Sequence, residues 1–238
     1  MGSGIYIATS GAVAQDRALD VTANNIANAS TAGYKGKRAT FGQALANTRA
    51  QDAAFVGVAE VATDTSAGPI RQTDNPLDLA LTGDGYFSVN TPAGVRYTRA
   101  GDFRLDNQGR LVNGAGLVAR ATGGGELRVP PDATDVTVGD DGRLMVGADP
   151  VGQLELVRFA PTSLTREGDN LYAASGPPIQ GGPPVEIMSG ALEQSNVNVV
   201  RGVIELVKVS RTYESLMKMI QGYRDMDAAA ARGLGRSK

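Results

Sequence analysis

Phosphate binding is the first chemistry that the sequence raises, because Gly36-Lys37 looks like the end of a phosphate loop. Such a loop needs a glycine five residues before the second glycine, and a Ser or Thr directly after the lysine to bind magnesium. The chain carries Thr31 and Arg38 at those two positions. We therefore interpret Gly36-Lys37 as part of a basic patch in a connecting segment.

Calcium binding is the second possibility, raised by Asp106-Asn107-Gln108-Gly109 and Gly139-Asp140-Asp141-Gly142. Neither segment has the alternating ligand spacing or the distal Glu of an EF-hand loop. Asp and Asn tolerate left-handed backbone and hydrogen-bond to their own chain, which favours tight turns. Both segments are therefore predicted to be hairpin turns.

The composition argues against most other chemistry. The chain of 238 residues contains no Cys and no His. Disulfides and Ser-His-Asp or Cys-His catalysis are therefore excluded, and a zinc or transition-metal site is disfavoured. A net charge of −2 gives no electrostatic reason to bind nucleic acid or an anionic membrane. We expect no enzyme activity, no cofactor, no nucleic-acid partner and no direct membrane insertion, and the first residues lack the pattern of a cleavable signal peptide.

Apolar residues at alternating spacings of three and four run along both ends of the chain. This spacing is typical of the seam between helices in a coiled coil. It predicts helices over about 4–29 and about 195–230, the second with Ser195 as its N-cap. The predicted seam residues are Ile5, Ala8, Ala12, Leu19, Ile26, Val199, Leu206, Val209, Tyr213, Leu216 and Ile220.

Between these ends the signals are those of β-structure, with short apolar runs separated by Gly, Asp, Asn and Pro turns. The prediction is an α+β fold, in which the two terminal helices pair in a coiled-coil-like domain and a central antiparallel β-rich domain is inserted between them. The domain bounds follow as 1–34 with 192–238 for the helical domain, 35–75 for an extended connector with some strand, and 76–191 for the β-rich domain.

Three asparagines, Asn24, Asn25 and Asn28, fall late in the first predicted helix. Asn is an indifferent helix former, so we expect these amides to bond a neighbouring backbone. Gly33 is the predicted stop after the helix. The seam is rich in small residues that bury little area, which predicts terminal helices that are labile in the free subunit and become ordered on assembly.

Three separate segments carry a resemblance to the bacterial flagellar rod and hook proteins. They are 19–35 (LDVTANNIANASTAGYK), 75–87 (NPLDLALTGDGYF) continued by 97–103 (YTRAGDF), and 190–200 (GALEQSNVNVV). The N-terminal signature includes Asn24, Asn25, Asn28, Gly33 and Tyr34, and the C-terminal signature includes Ser195, Asn196 and Asn198. The chain resembles the flagellar basal-body rod protein family across its length. Its short connector is most similar to that of proximal rod proteins of the F type.

The resemblance implies a structural subunit that is exported by the flagellar type III apparatus and polymerises, with copies of itself and other rod proteins, into a hollow helical drive shaft. That shaft would cross the periplasm and transmit torque from the motor to the hook. Two alternatives stay open. One is a distal rod or hook-like member of the same axial family, and the other is a soluble module whose β-domain binds a ligand.

Overall fold

The computed structural model describes residues 2–45, 54–131, 133, 135–168, 170–181 and 184–234. The chain divides into two compact units. The first, here called the helical unit, comprises residues 1–27, 37–64 and 198–238. The second, the β-rich unit, comprises residues 28–36 and 65–197.

Two helices lie at the ends of the chain and the strands lie between them, as predicted. The helices are α1 (Gly2–Ala27) and α2 (Val199–Leu234). A 3-10 turn spans Pro161–Ser163. The strands are β1 (Lys37–Leu45), β2 (Ala54–Thr63), β3 (Ile70–Gln72), β4 (Leu79–Thr82), β5 (Tyr86–Thr91), β6 (Gly94–Thr98), β7 (Arg104–Leu105), β8 (Leu111–Val112), β9 (Val118–Ala119), β10 (Val136–Val138), β11 (Arg143–Val146), β12 (Asp149–Gln153), β13 (Leu156–Val157), β14 (Leu164–Glu167), β15 (Leu171–Ala174), β16 (Glu186–Ser189) and β17 (Ala191–Glu193).

In the helical unit, α1 and α2 pack side by side in antiparallel directions. A Cβ on Gly4 would lie 3.0 Å from the ring of Tyr223, and one on Gly202 would lie 2.9 Å from Ile26. The start of each helix therefore meets the far part of the other. The small residues on α1 let the two backbones approach closely.

A second face of α1 packs on the hairpin formed by β1 and β2. Ala14 and Ala18 on this face are 1% and 5% exposed. Asn25 lies on the same face, since it follows Ala18 by seven residues. Its Nδ2 donates to the carbonyl of Lys37 at 2.7 Å, and its Oδ1 accepts from the amide of Lys37 at 2.8 Å. The predicted amide-to-backbone bond is therefore present at Asn25.

The β-rich unit is antiparallel in all its described strand pairs. Its largest sheet has the order β14-β15-β6-β5-β9-β8-β7, with β13 also paired to β5, and β10-β11-β12 form a smaller sheet. One core joins these sheets, and its most buried members include Leu79, Phe87, Leu111 and Leu144. The rings of Phe87 and Phe103 meet edge to face at 5.1 Å. This core is mainly aliphatic, in keeping with an aromatic content of 5%.

Both acidic turns form hairpins as predicted. Asp106 Oδ1 accepts from the amides of Gln108 and Arg110, both at 2.9 Å, between β7 and β8. Asp141 Oδ1 accepts from the amide of Arg143 at 3.1 Å between β10 and β11. The carboxylates therefore stabilise turns. Within the described ranges, no group of three or more acidic residues is placed to hold a metal ion.

Four short strands complete the β-rich unit by pairing distant parts of the chain. β16 pairs with β4, and β17 pairs with β3. These four strands are called the closing strands below. In register, Ile187 lies opposite Leu81, and Glu193 lies opposite Ile70. The central part of the chain is thus enclosed between strands that come before and after it.

The helix ends differ from the sequence-based expectations. α1 ends at Ala27, so Asn28 lies in a turn, where its Oδ1 accepts from the hydroxyl of Thr31 at 3.3 Å. Ser195 is not the N-cap of α2. That position is taken by Asn198, whose Oδ1 accepts from the amide of Arg201 at 3.0 Å, whereas Ser195 Oγ accepts from Val197 in the preceding turn. Asn and Ser are equally good caps, so local sequence does not decide between them.

The bounds of the compact units also differ from the sequence-based domains. Residues 37–64 were placed in an extended connector, and they belong to the helical unit, where β1 and β2 pack on α1. Residues 28–34 were placed with the first helix and 35–36 with the connector, and all of them belong to the β-rich unit. Residue 1 and residues 235–238 of the predicted helical domain, and 46–53 of the connector, lie outside the described residues. None of the helices, over its described length, is long and apolar enough to cross a bilayer.

Candidate assembly surface and the Glu193 cluster

The predicted seam of α2 is the side of that helix that is least exposed. Val209 and Ile220 are buried at 6% and 7% exposure, and Leu206, Tyr213 and Leu216 are half-buried. On α1, Ala8 and Ala12 are buried, and Ile5, Leu19 and Ile26 are half-buried. Val199 departs from the pattern, since it opens the helix at 48% exposure. The seam therefore lies where the two helices of one chain meet.

α2 carries a second apolar stripe on the side opposite its seam. Val200, Val203, Ile204 and Val207 are 70%, 45%, 65% and 45% exposed. Their spacing of three and four places them on one face of the first two turns. A helix that is apolar on two opposite faces is typical of one with more than one helical neighbour. This stripe is called the outer α2 stripe below.

A cluster of buried charges links both signatures inside the β-rich unit. Lys35 Nζ lies 2.6 Å from Glu193 Oε1, and Arg99 Nη1 lies 3.3 Å from Glu193 Oε2. All three side chains are at most 5% exposed. Lys35 Nζ also donates to the carbonyl of Ser66 at 2.7 Å, and the amide of Gly68 donates to Glu193 Oε1 at 2.9 Å. These five residues are called the Glu193 cluster.

The charges of the Glu193 cluster do not cancel, because two cations share one carboxylate. Arg99 is further held by the carbonyl of Gly83, to which its Nη2 donates at 2.7 Å, and by the ring of Tyr86, 5.2 Å from its guanidinium carbon. Burying an ion costs several kcal/mol unless partners replace its hydration. Glu193 is therefore the group on which the burial of Lys35 and Arg99 depends.

Gly33 is required where the N-terminal signature crosses the β-rich unit. Its φ is +63°, and a Cβ there would lie 2.3 Å from the carbonyl carbon of Arg99. Its amide donates to the carbonyl of Glu193 at 2.7 Å. The glycine therefore lies six residues beyond the end of α1, and it permits a close backbone approach instead of ending the helix.

Tyr34 is buried beneath Arg166, whose guanidinium carbon lies 4.3 Å from its ring. Burial raises the pKa of Tyr34 above its ordinary value, and the charge of Arg166 offsets part of that rise. Arg166 also donates to the carbonyl of Lys35 at 2.5 Å. Tyr34 therefore packs as a neutral ring that holds the signature segment in place.

Asn196 joins the two signatures directly. Its Oδ1 accepts from the amide of Gly36 at 2.7 Å, and its own amide donates to the carbonyl of Tyr34 at 3.3 Å. Its Nδ2 donates to Ser66 Oγ at 3.1 Å. Within the β-rich unit, the segment that follows α1 is therefore hydrogen-bonded to the segment that precedes α2.

The sequence reasoning missed Lys35, Arg99 and Glu193 as members of one site. Each lies inside a quoted signature segment, but none was predicted to be buried in an ion-pair cluster, and Lys35 is 1% exposed. No local signal distinguishes them, since Lys35 lies in a basic run and Glu193 is followed by polar residues. Of the three asparagines predicted to bond a neighbouring backbone, Asn25 hydrogen-bonds to Lys37 of the hairpin and Asn28 lies in a turn. Asn24 is exposed on α1.

Comparison with known proteins gives matches along most of the chain. Residues 5–35 match the family model "Flagella basal body rod protein", residues 80–146 match "Flagellar hook protein FlgE/F/G D1 domain", and residues 188–232 match "Flagellar basal body rod FlgEFG protein C-terminal". The Glu193 cluster draws residues from or beside each of these segments.

Among curated proteins, the flagellar basal-body rod protein FlgF of Caulobacter vibrioides is 35% identical over 243 residues, covering 99% of each chain. FlgF of Escherichia coli is 31% identical, covering 94% of this chain and 95% of its own. The flagellar basal-body rod protein FlgG of Bacillus subtilis is 35% identical, covering 91% of this chain and 93% of its own.

Proposed function

The chain belongs to the flagellar basal-body rod protein family, a structural and not an enzymatic family, and we propose that copies of it polymerise helically with other rod proteins into a hollow drive shaft. As a structural subunit of the basal-body rod, it has to carry torque through contacts between subunits. We propose that α1 and α2 make the axial contacts near the inner tube, and that the β-rich unit forms the outer layer.

The observation that carries this proposal is the outer α2 stripe. Four apolar side chains that are 45–70% exposed lie on one face of a helix whose opposite face already packs on α1. Placing them against a helix of another subunit would remove apolar surface from water, at roughly 25 cal/mol per Å². We propose that the α1–α2 pair becomes coiled-coil-like and fully ordered only in this setting, because its own seam is made largely of small residues.

We further propose that the subunit is a proximal rod protein of the F type, exported by the flagellar type III apparatus without a cleavable signal peptide to a periplasmic position. The alignment with the Caulobacter FlgF spans 99% of both chains, whereas that with the Bacillus FlgG spans 91% and 93% at equal identity. The equal identity keeps a distal rod subunit as the second candidate. Determining the position of the subunit along purified basal bodies decides between the two.

The assembly role is tested by Ile204→Asp, which puts a charge on the outer α2 stripe at a side chain that is 65% exposed in the free chain. We expect the variant to fold normally but to be absent from purified basal bodies, with loss of motility. The measurements are far-UV circular dichroism of the purified chain and complementation of a strain deleted for the gene.

Thr212→Asp is the matched control, because it adds the same charge at an exposed position of the same helix outside the stripe. It should restore motility. Normal motility with Ile204→Asp, in basal bodies that contain the variant, would contradict the proposed contact.

A further inference from the structure

The contacts that complete the β-rich unit join residues that are very distant in the chain. Lys35 and Glu193 are 158 positions apart, and Gly68 and Glu193 are 125 apart. The closing strands add pairs of similar separation, such as Ile187 with Leu81. By contrast, β5 with β6 and β10 with β11 are consecutive hairpins.

Distant contacts close a long loop, so their entropic cost is larger than that of a hairpin. Pairings between distant segments form slowly, because this entropy is lost before the contacts are gained. Stability within one domain is accordingly uneven, and contiguous groups of elements open together below the free energy of global unfolding. The closing strands meet this description.

The buried charges make the same region less costly to open than an apolar one. On opening, Lys35, Arg99 and Glu193 regain hydration, which offsets part of the lost ion pairing. The apolar loss is limited to the side chains that the closing strands contribute to the core, such as Leu79, Leu81 and Ile187. The central hairpins keep Phe87, Phe103 and Leu111 packed on one another.

We propose that the closing strands and the Glu193 cluster form a separate opening unit of the β-rich unit, and that Glu193 determines how often it opens. In the open form, residues 31–36, 66–82 and 185–196 leave the core together while β5 to β13 stay folded. The inference concerns the free chain and does not depend on the proposed rod function. It makes Glu193 a control point for access to both signatures.

Amide hydrogen exchange of the full-length chain at low denaturant tests this inference. Reporters in the opening unit are the amides of Gly68, Ile187 and Gln194, which donate to Glu193, Asp140 and Pro69. Reporters of the central sheet are the amides of Leu111 and Arg120, which donate to Leu127 and Ser88. We expect the first group to exchange at least about 10-fold faster than the second.

Glu193→Gln should raise exchange in the opening unit by at least about 100-fold, because it leaves two buried cations unpaired in the closed form. Since this destabilises the closed form relative to both the open and the unfolded form, the ratio of exchange rates between the two groups of reporters should stay the same. Glu167→Gln is the matched control. It removes a carboxylate that pairs with Arg96 at the surface, and it should change neither group. Lys35→Met should have a smaller effect than Glu193→Gln, because it leaves Arg99 and Glu193 as a balanced pair.

Equal exchange of both groups in the unmodified chain would overturn the inference. So would a Glu193→Gln chain in which Leu111 and Arg120 lose more protection than Gly68 and Ile187, since that result would place the role of the carboxylate in the central sheet. Unchanged exchange at Gly68 and Ile187 in Glu193→Gln would remove the role of the carboxylate.

Discussion

Lys35 and Glu193 form a 2.6 Å ion pair with side chains only 1% and 2% exposed, although 158 positions separate them. The residues belong to the two signature segments of the family. Those signatures therefore form one buried structure in the β-rich unit, and are more than markers at the ends of two helices. In this chain, that structure joins the segment after α1 to the segment before α2.

The asymmetry of charge in the Glu193 cluster predicts an order of stabilities. Glu193→Gln leaves two buried cations without a carboxylate, and it should lower the free energy of unfolding by about 3–5 kcal/mol. Lys35→Met leaves Arg99 paired with Glu193 and should cost less. Urea denaturation followed by circular dichroism gives both values. A larger loss for Lys35→Met would show that the cations do not depend on the carboxylate as argued.

Gly33→Ala should be strongly destabilising. The substitution puts a Cβ 2.3 Å from the backbone of Arg99 at a φ of +63°, so the expected loss is about 3 kcal/mol or more. Gly116→Ala is the matched control, because its φ is +81° and a Cβ there meets nothing within 4 Å. It should cost only about 1 kcal/mol of backbone strain. Equal melting temperatures for the two variants would contradict the close approach.

Asn25→Ala should loosen the hairpin from α1. It removes both hydrogen bonds between the Asn25 side chain and the Lys37 backbone, and it should lower the free energy of unfolding by about 2 kcal/mol. The measurement is exchange of the Lys37 amide, which should become faster. Asp20→Ala, at an exposed position of the same helix, should leave that amide unchanged. If the Lys37 amide stays protected in Asn25→Ala, the two hydrogen bonds from Asn25 do not hold the hairpin to α1.

Two carboxylates predict opposite pH dependences of stability. Burial raises the pKa of Asp102 above its ordinary value near 3.8, and the charge of Asp78 adds to the rise. Ionisation of Asp102 therefore destabilises the fold, and this effect grows as pH rises from its ordinary pKa through its raised pKa. Asp102→Asn should remove this loss. The variant should therefore be more stable than the unmodified chain at pH 7, and the difference should be small at pH 3.

Asp106 should behave in the opposite way. Desolvation raises its pKa, but hydrogen bonds from Arg110 and Gln108 and the charge of Arg110 outweigh that effect, so the pKa lies below its ordinary value. Its stabilising contribution is present above the ordinary pKa and is lost as pH falls through the lowered one. Asp106→Asn should therefore destabilise at pH 7 and have little effect in acid. Thermal melts from pH 2 to 7 compare the two variants, and parallel profiles would contradict both assignments.

The sequence by itself determined the elements whose signals are local. The three-and-four spacing from Leu206 to Ile220 identified the face of α2 that packs on α1, because a helix repeats its environment every turn. The acidic turns at Asp106 and Asp141 were identified because their side chains bond their own backbone. The motif segments also sufficed to indicate the family.

Only the tertiary structure decided which distant segments meet. Nothing periodic or local in the sequence marks Lys35, Arg99 and Glu193 as partners, because their pairing depends on a path of 158 residues that the strand order sets. The same reason explains the N-cap, since Ser195 is held in the turn of the β-rich unit and only Asn198 remains to begin α2. Local propensity determines what a segment can form, whereas the packing of distant segments decides which buried groups it must satisfy.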